Sequence, residues 1–125
     1  MVTELTVTGK PIHPDAVEDR WCDFSDYLEI SGRTLSGTPV VTEYTLDADG
    51  AATTSSDWTI SGEGVPSSAT TLTNGKTYAA NTLAVFTLTD AGTATSGTRY
   101  RFKVSVGTSA SETLVGNVDI LCSDS

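Results

Sequence analysis

The sequence predicts an all-β sandwich of about seven short strands, preceded by an extended N-terminal arm, and three observations carry that expectation. The chain is rich in threonine, serine and glycine. Threonine is β-branched and sits well on a pleated, half-exposed surface, while serine and glycine suit turns. The segment Arg99 to Val106 alternates strictly, with Tyr100, Phe102, Val104 and Val106 on one side and Arg99, Arg101, Lys103 and Ser105 on the other. Period two is the signature of a sheet with one buried and one wet face. Turn signals recur between the apolar stretches, with Asp49-Gly50 and Asn74-Gly75 the sharpest, because both pairs tolerate the positive φ of tight hairpins.

The elements follow in order. Thr3 to Thr8 alternates like a strand and stops at Gly9. Lys10-Pro11-Ile12-His13-Pro14-Asp15 then carries two prolines, which exclude a central strand. Residues 1–16 therefore read as an arm, with Leu5, Val7 and Ile12 as its candidate partner-binding residues; an ordinary first strand is the competing reading. Residues 17–125 form the sandwich domain. Cys22 and Phe24 share one face of its first strand, Ser31 to Thr34 is a turn, and Leu35 to Tyr44 is β-prone despite Pro39. Asp57 to Ile60 is another strand, Pro66 opens a serine-rich loop, and Ala84 to Thr89 alternates with Phe86 and Leu88 together. The last strand places Leu114, Val118, Ile120 and Cys122 on one face, with Gly116 leaving a gap in the row. A long helical period with caps is missing.

Length and charge narrow the function. At 125 residues the chain is about one domain and buries a core without metals or a dense disulfide framework. Seven basic residues stand against sixteen acidic ones, a net charge of −9. Nucleic-acid affinity rests largely on lysine and arginine, so DNA or RNA is not an expected partner. Anionic membranes are disfavoured for the same reason. The acidity suits a soluble protein at high local density or one docking on a basic partner. Met1-Val2-Thr3-Glu4 has neither a basic region nor an apolar run, so no signal peptide is expected and synthesis is placed in a cytoplasm.

Catalytic chemistry is hard to assemble. The single histidine, His13, lies between prolines near the N-terminus, where a triad would have to recruit it from the arm. Paired carboxylates are expected by chance in so acidic a chain. Asp47-Ala48-Asp49-Gly50 lacks the later ligands of a calcium loop and reads as a turn. The expectation is a chain that is not an enzyme and holds neither cofactor nor metal.

Cys22 and Cys122 stand 100 positions apart, each on the apolar face of its strand. Two readings stay open: a pair of free buried thiols, or a disulfide stabilising the fold by up to about 4–5 kcal/mol in the chain-entropy model.

Asp19-Arg20-Trp21-Cys22-Asp23-Phe24-Ser25-Asp26-Tyr27-Leu28, followed by Gly32-Arg33-Thr34-Leu35, resembles small virion structural proteins of tailed bacteriophages. The likeness continues through Ala84 to Thr89, Gly92 to Thr98 and Tyr100 to Val106. Arg20 and Trp21 depart from the family pattern, and Asp47 to Asn81 is longer and looser. The resemblance implies an immunoglobulin-like sandwich working by adhesion, made in the host cytoplasm and carried on the virion. It implies a head decoration or cement protein bound to the major capsid protein or other virion subunits, with a homo-oligomer as one possible form. The alternatives are a neck or tail-fibre adaptor and, from another class, a carbohydrate-binding module stacking sugars on Trp58, Tyr44 or Tyr78. For those aromatics burial in the core is the competing reading.

Overall fold

The computed structural model describes residues 3–124. Its strands are β1 (Thr3–Thr8), β2 (Val17–Asp23), β3 (Leu35–Leu46), β4 (Ala52–Thr54), β5 (Trp58–Gly64), β6 (Thr70–Thr71), β7 (Thr77–Tyr78), β8 (Leu83–Asp90), β9 (Arg99–Thr108) and β10 (Thr113–Leu121), with one short helix, α1 (Ser25–Ser31). One sheet has the order β1-β10-β9-β3-β4 and the other β2-β8-β5, with β6 and β7 as a separate hairpin. β1 runs parallel to β10, while the remaining pairs are antiparallel. The second, fifth and eighth strands thus make one layer of a β-sandwich, and the third, ninth and tenth lie in the other.

The core forms because the alternating rows of both sheets point inward. Tyr100, Phe102, Val104 and Val106 are buried, and Arg99 and Lys103 lie on the wet face. Phe86 meets Phe102 at 6.1 Å, and Trp58 meets Tyr100 edge-on at 6.0 Å. On the outer face, Arg101 grips Asp119 through two bonds of 2.8 and 2.9 Å. The strands pair in register at those two residues.

The turns form as their chemistry dictates. Asp47 Oδ1 accepts from the backbone N–H groups of Asp49 and Ala51, and Gly50 takes φ 83°. Asn74 Oδ1 accepts from the Lys76 N–H where the β6–β7 hairpin closes. In β3, Pro39 sits where the register with β9 shifts between Ser36 and Val40. A proline lacks the ladder N–H, so that irregularity is where the strand tolerates one.

One short element adds to the expected strands, and one expectation is corrected. A seven-residue helix occupies Ser25–Ser31, ended by Gly32 in the left-handed conformation with its N–H on the Leu28 carbonyl. It buries Leu28 beside Phe24. The N-terminal segment is no detached arm. Apart from Met1 and Val2, which lie outside the described residues, it belongs to the sandwich: β1 pairs along β10, and the Gly9 N–H donates to the Asp119 carbonyl at 2.8 Å. Ile12 is fully buried and bridges Cys122, with backbone bonds to Leu121 and Ser123. The two prolines interrupt the strand without releasing it, because the N–H groups of Gly9 and Ile12 still find partners.

Candidate functional site

Of the candidate arm residues, Ile12 is core, Leu5 packs half-buried against the core, and Val7 stays 43% exposed. Of the three, only Val7 is exposed. It stands on β1, one of the two edge strands of the larger sheet.

The two cysteines do not meet. Cys22 lies in β2 against Gly116 of β10. Cys122 follows six residues further along that extended chain, about 20 Å away at roughly 3.3 Å per residue. A disulfide needs Cα atoms within about 7 Å, so the disulfide reading is excluded and both are free, buried thiols. Burial, with the neighbouring Asp23 charge, pushes the Cys22 thiol up to about 12. Burial also raises Cys122, helped by the carboxylates of Asp90, Asp124 and Asp57. Both shifts oppose the thiolate, the reactive form.

For Trp58 and Tyr78 the burial reading holds over the sugar-stacking alternative. Trp58 is 4% exposed and Tyr78 is 7% exposed, so neither offers a free ring face. Tyr78 is further occupied by Lys76 over its ring and by the Asn74 amide on its hydroxyl. Tyr44, half-buried, sits in β3 between Arg101 and Thr54 of the flanking strands.

Sequence reasoning left one site unassigned. β1 and β2 are terminal strands of opposite sheets, and a cleft of about 370 Å³ opens between them. Its walls are the end of β1 with Lys10 on one side and Glu18 to Trp21 with Asp23 on the other. Thr73 and Asn74 of the hairpin turn complete the rim. Arg20 is buried in its wall, where its guanidinium donates to the carbonyls of Lys10 (2.7 Å) and Pro11 (3.2 Å) and to Glu18 Oε1 (3.1 Å). The buried arginine thereby ties the 10–11 segment to β2. Trp21, on the opposite side of the strand from Arg20, is half-buried. The signal for this site was present in the sequence as an arginine and a tryptophan side by side in a strand, but only the strand order shows that β2 lies at an edge.

Among the described residues no group of three or more histidine, cysteine or carboxylate side chains is placed to hold a metal, and no helix is long and apolar enough to cross a membrane.

No protein-family model matches the sequence, and no curated protein matches it. Among solved structures, a family 123 glycoside hydrolase from Clostridium perfringens, studied for glycolipid glycan hydrolysis, is similar over 94% of this chain at 12% identity with a TM-score of 0.38. The chain spans 23% of that enzyme's length. A likeness that loose carries no argument about fold or activity.

Proposed function

We propose that the chain is a non-enzymatic structural protein of a tailed-phage virion, a decoration or cement module that binds the head lattice through the major capsid protein. The carrying observation is the β1 edge: a terminal strand with Val7 exposed, on a domain that fills its own core. An open strand edge is a template for strand addition by another chain. A repeated lattice multiplies such modest contacts through multivalency. The net charge of −9 suits a basic partner surface and opposes binding to packaged nucleic acid. The resemblance of the Asp19–Leu28 run points the same way.

Quantitative mass spectrometry of purified virions tests the reading. Copies comparable in number to the major capsid protein are expected. A small ring's worth of copies would replace decoration by a neck or tail-fibre adaptor, and absence from the particle would overturn the virion role.

A further inference from the structure

We infer that the cleft between β1 and β2 is a binding site for a neutral sugar unit, with Trp21 as its stacking surface. The inference does not depend on the virion role, because the cleft belongs to the isolated domain.

The cleft is concave and large enough. About 370 Å³ falls within the range of roughly 300–1,000 Å³ in which small ligands are held. Trp21, half-buried, is among the residues that line it, and a large aromatic side chain with a polar handle suits a ligand that is apolar on one side and wet on the other.

The polar groups are held in place by the protein itself. Glu18 Oε1 is engaged by Arg20 at 3.1 Å, Asp19 Oδ1 by the Thr87 hydroxyl at 2.7 Å, and Asp23 Oδ1 by the Ser25 N–H at 2.9 Å. Each carboxylate is thus oriented through one oxygen, leaving the other as an acceptor for a ligand hydroxyl. Lys10, exposed at the rim, supplies donors and no acceptor.

Charge selects among ligand classes. Three carboxylates oppose a phosphate or an acidic sugar. A cation meets Lys10 and Arg20 in the same walls, and Arg20 already takes up part of the carboxylate charge through Glu18. A pyranose satisfies both demands. Its hydroxyls donate to the carboxylate oxygens and accept from Lys10, while its C–H face lies on the indole.

The test is ligand-observed NMR with isothermal titration against neutral sugars: glucose, galactose, mannose, N-acetylglucosamine, lactose and cellobiose. Glucosamine, glucuronate and an oligolysine peptide are the charged controls. At least one neutral sugar should bind with Kd at or below about 1 mM, a free energy near 4 kcal/mol. Its glucosamine or glucuronate counterparts should bind at least tenfold more weakly. Trp21→Ala should weaken binding at least tenfold. Asp19→Asn and Lys10→Ala, both at exposed positions, should weaken it several-fold with the melting temperature held, while Trp58→Phe should leave it intact. Binding that survives Trp21→Ala, tighter binding of oligolysine, or no neutral sugar bound below about 10 mM would each overturn the assignment. None of these outcomes bears on the copy number in virions, so the two readings fail separately.

Discussion

Gly116 of β10 lies directly beneath Cys22 of β2, and a Cβ at position 116 would run into the Cys22 sulfur and come within 3.0 Å of Phe24 Cζ. The gap that glycine leaves in the apolar row of β10 is therefore filled from the opposite sheet. Gly116→Ala should lower stability by about 1–3 kcal/mol, the usual range for overpacking a core. Because the sulfur is the closest obstacle, Cys22→Ala in the same chain should recover part of that loss. A double-mutant cycle in urea should give a coupling of at least about 0.5 kcal/mol. Strict additivity would mean that the two sheets do not meet at this point.

The buried thiols make a prediction about pH. A Cys22 thiol held up to about 12 by burial stays protonated in the native state while the unfolded chain ionises from about 9 upward. Above that pH the unfolded state binds fewer protons, so stability falls as pH rises. The raised Cys122 thiol and the Tyr100 hydroxyl, buried and hydrogen-bonded to Asp57 at 2.7 Å, act in the same direction. Urea midpoints should be flat between pH 7 and 8 and decline above 9, less steeply in Cys22→Ala. Native protein should resist a thiol reagent that labels both cysteines in denaturant, and added reductant should not move the melting temperature. A reductant-sensitive melting temperature would contradict two separated thiols.

Much of this architecture is legible in the residues. The alternation at 99–106 names its own buried face, and in the Asp49-Gly50 and Asn74-Gly75 turns the glycines take the positive φ. Periodicity also explains Cys22 and Cys122 as buried, but it says nothing about where along a partner strand each one lands. That position follows from the sheet order, and it decides against a disulfide. The helix after Phe24 is too short to show a period. Thr3 to Thr8 is legible as a strand, but its place in the sandwich is not, because the effect of Pro11 and Pro14 is local while the parallel pairing with β10 is long-range. The cleft depends entirely on which strands are terminal, a property of topology that no single segment encodes.

Glu43 shows what an alternating pattern hides. It falls on the inward face of β3, opposite Phe102, and is 3% exposed. Its carboxylate accepts from the Ser55 hydroxyl (2.5 Å) and the N–H groups of Asp57 and Trp58 (both 2.9 Å), tying the β4–β5 loop to the core. Glu43→Gln turns one acceptor oxygen into a donor facing donors and should lower stability by about 1–3 kcal/mol. Glu43→Leu, which leaves both backbone N–H groups unpaired, should cost more. Thermal melts of the two variants check the order. Equal, near-zero effects would show that the loop holds itself.

The N-terminal strand gives the last prediction. β1 pairs with β10 over six residues, Leu5 packs against the core, and Gly9 extends the contact with its own backbone bond. Removing residues 1–9 uncovers the flank of β10, where Asn117 is 3% exposed and donates to Thr6 Oγ1 at 3.4 Å. The loss of that ladder and of Leu5 should lower stability by about 2–4 kcal/mol, since fully burying one leucine alone contributes roughly 1.5–3. At roughly 3–6 °C per kcal/mol for a domain of this size, the melting temperature should drop by at least about 6 °C. Ile12→Ala should do similar damage, about 2–5 kcal/mol, because it empties a fully buried site. Val7→Thr, at an exposed position with β-branching kept, should stay within about 0.5 kcal/mol of the parent. This contrast separates the segment's structural role from any docking role of its outer edge. If the truncated chain melts with the parent while Ile12→Ala does not, the strand is dispensable to the domain, and residues 3–8 are free to serve a neighbouring subunit instead.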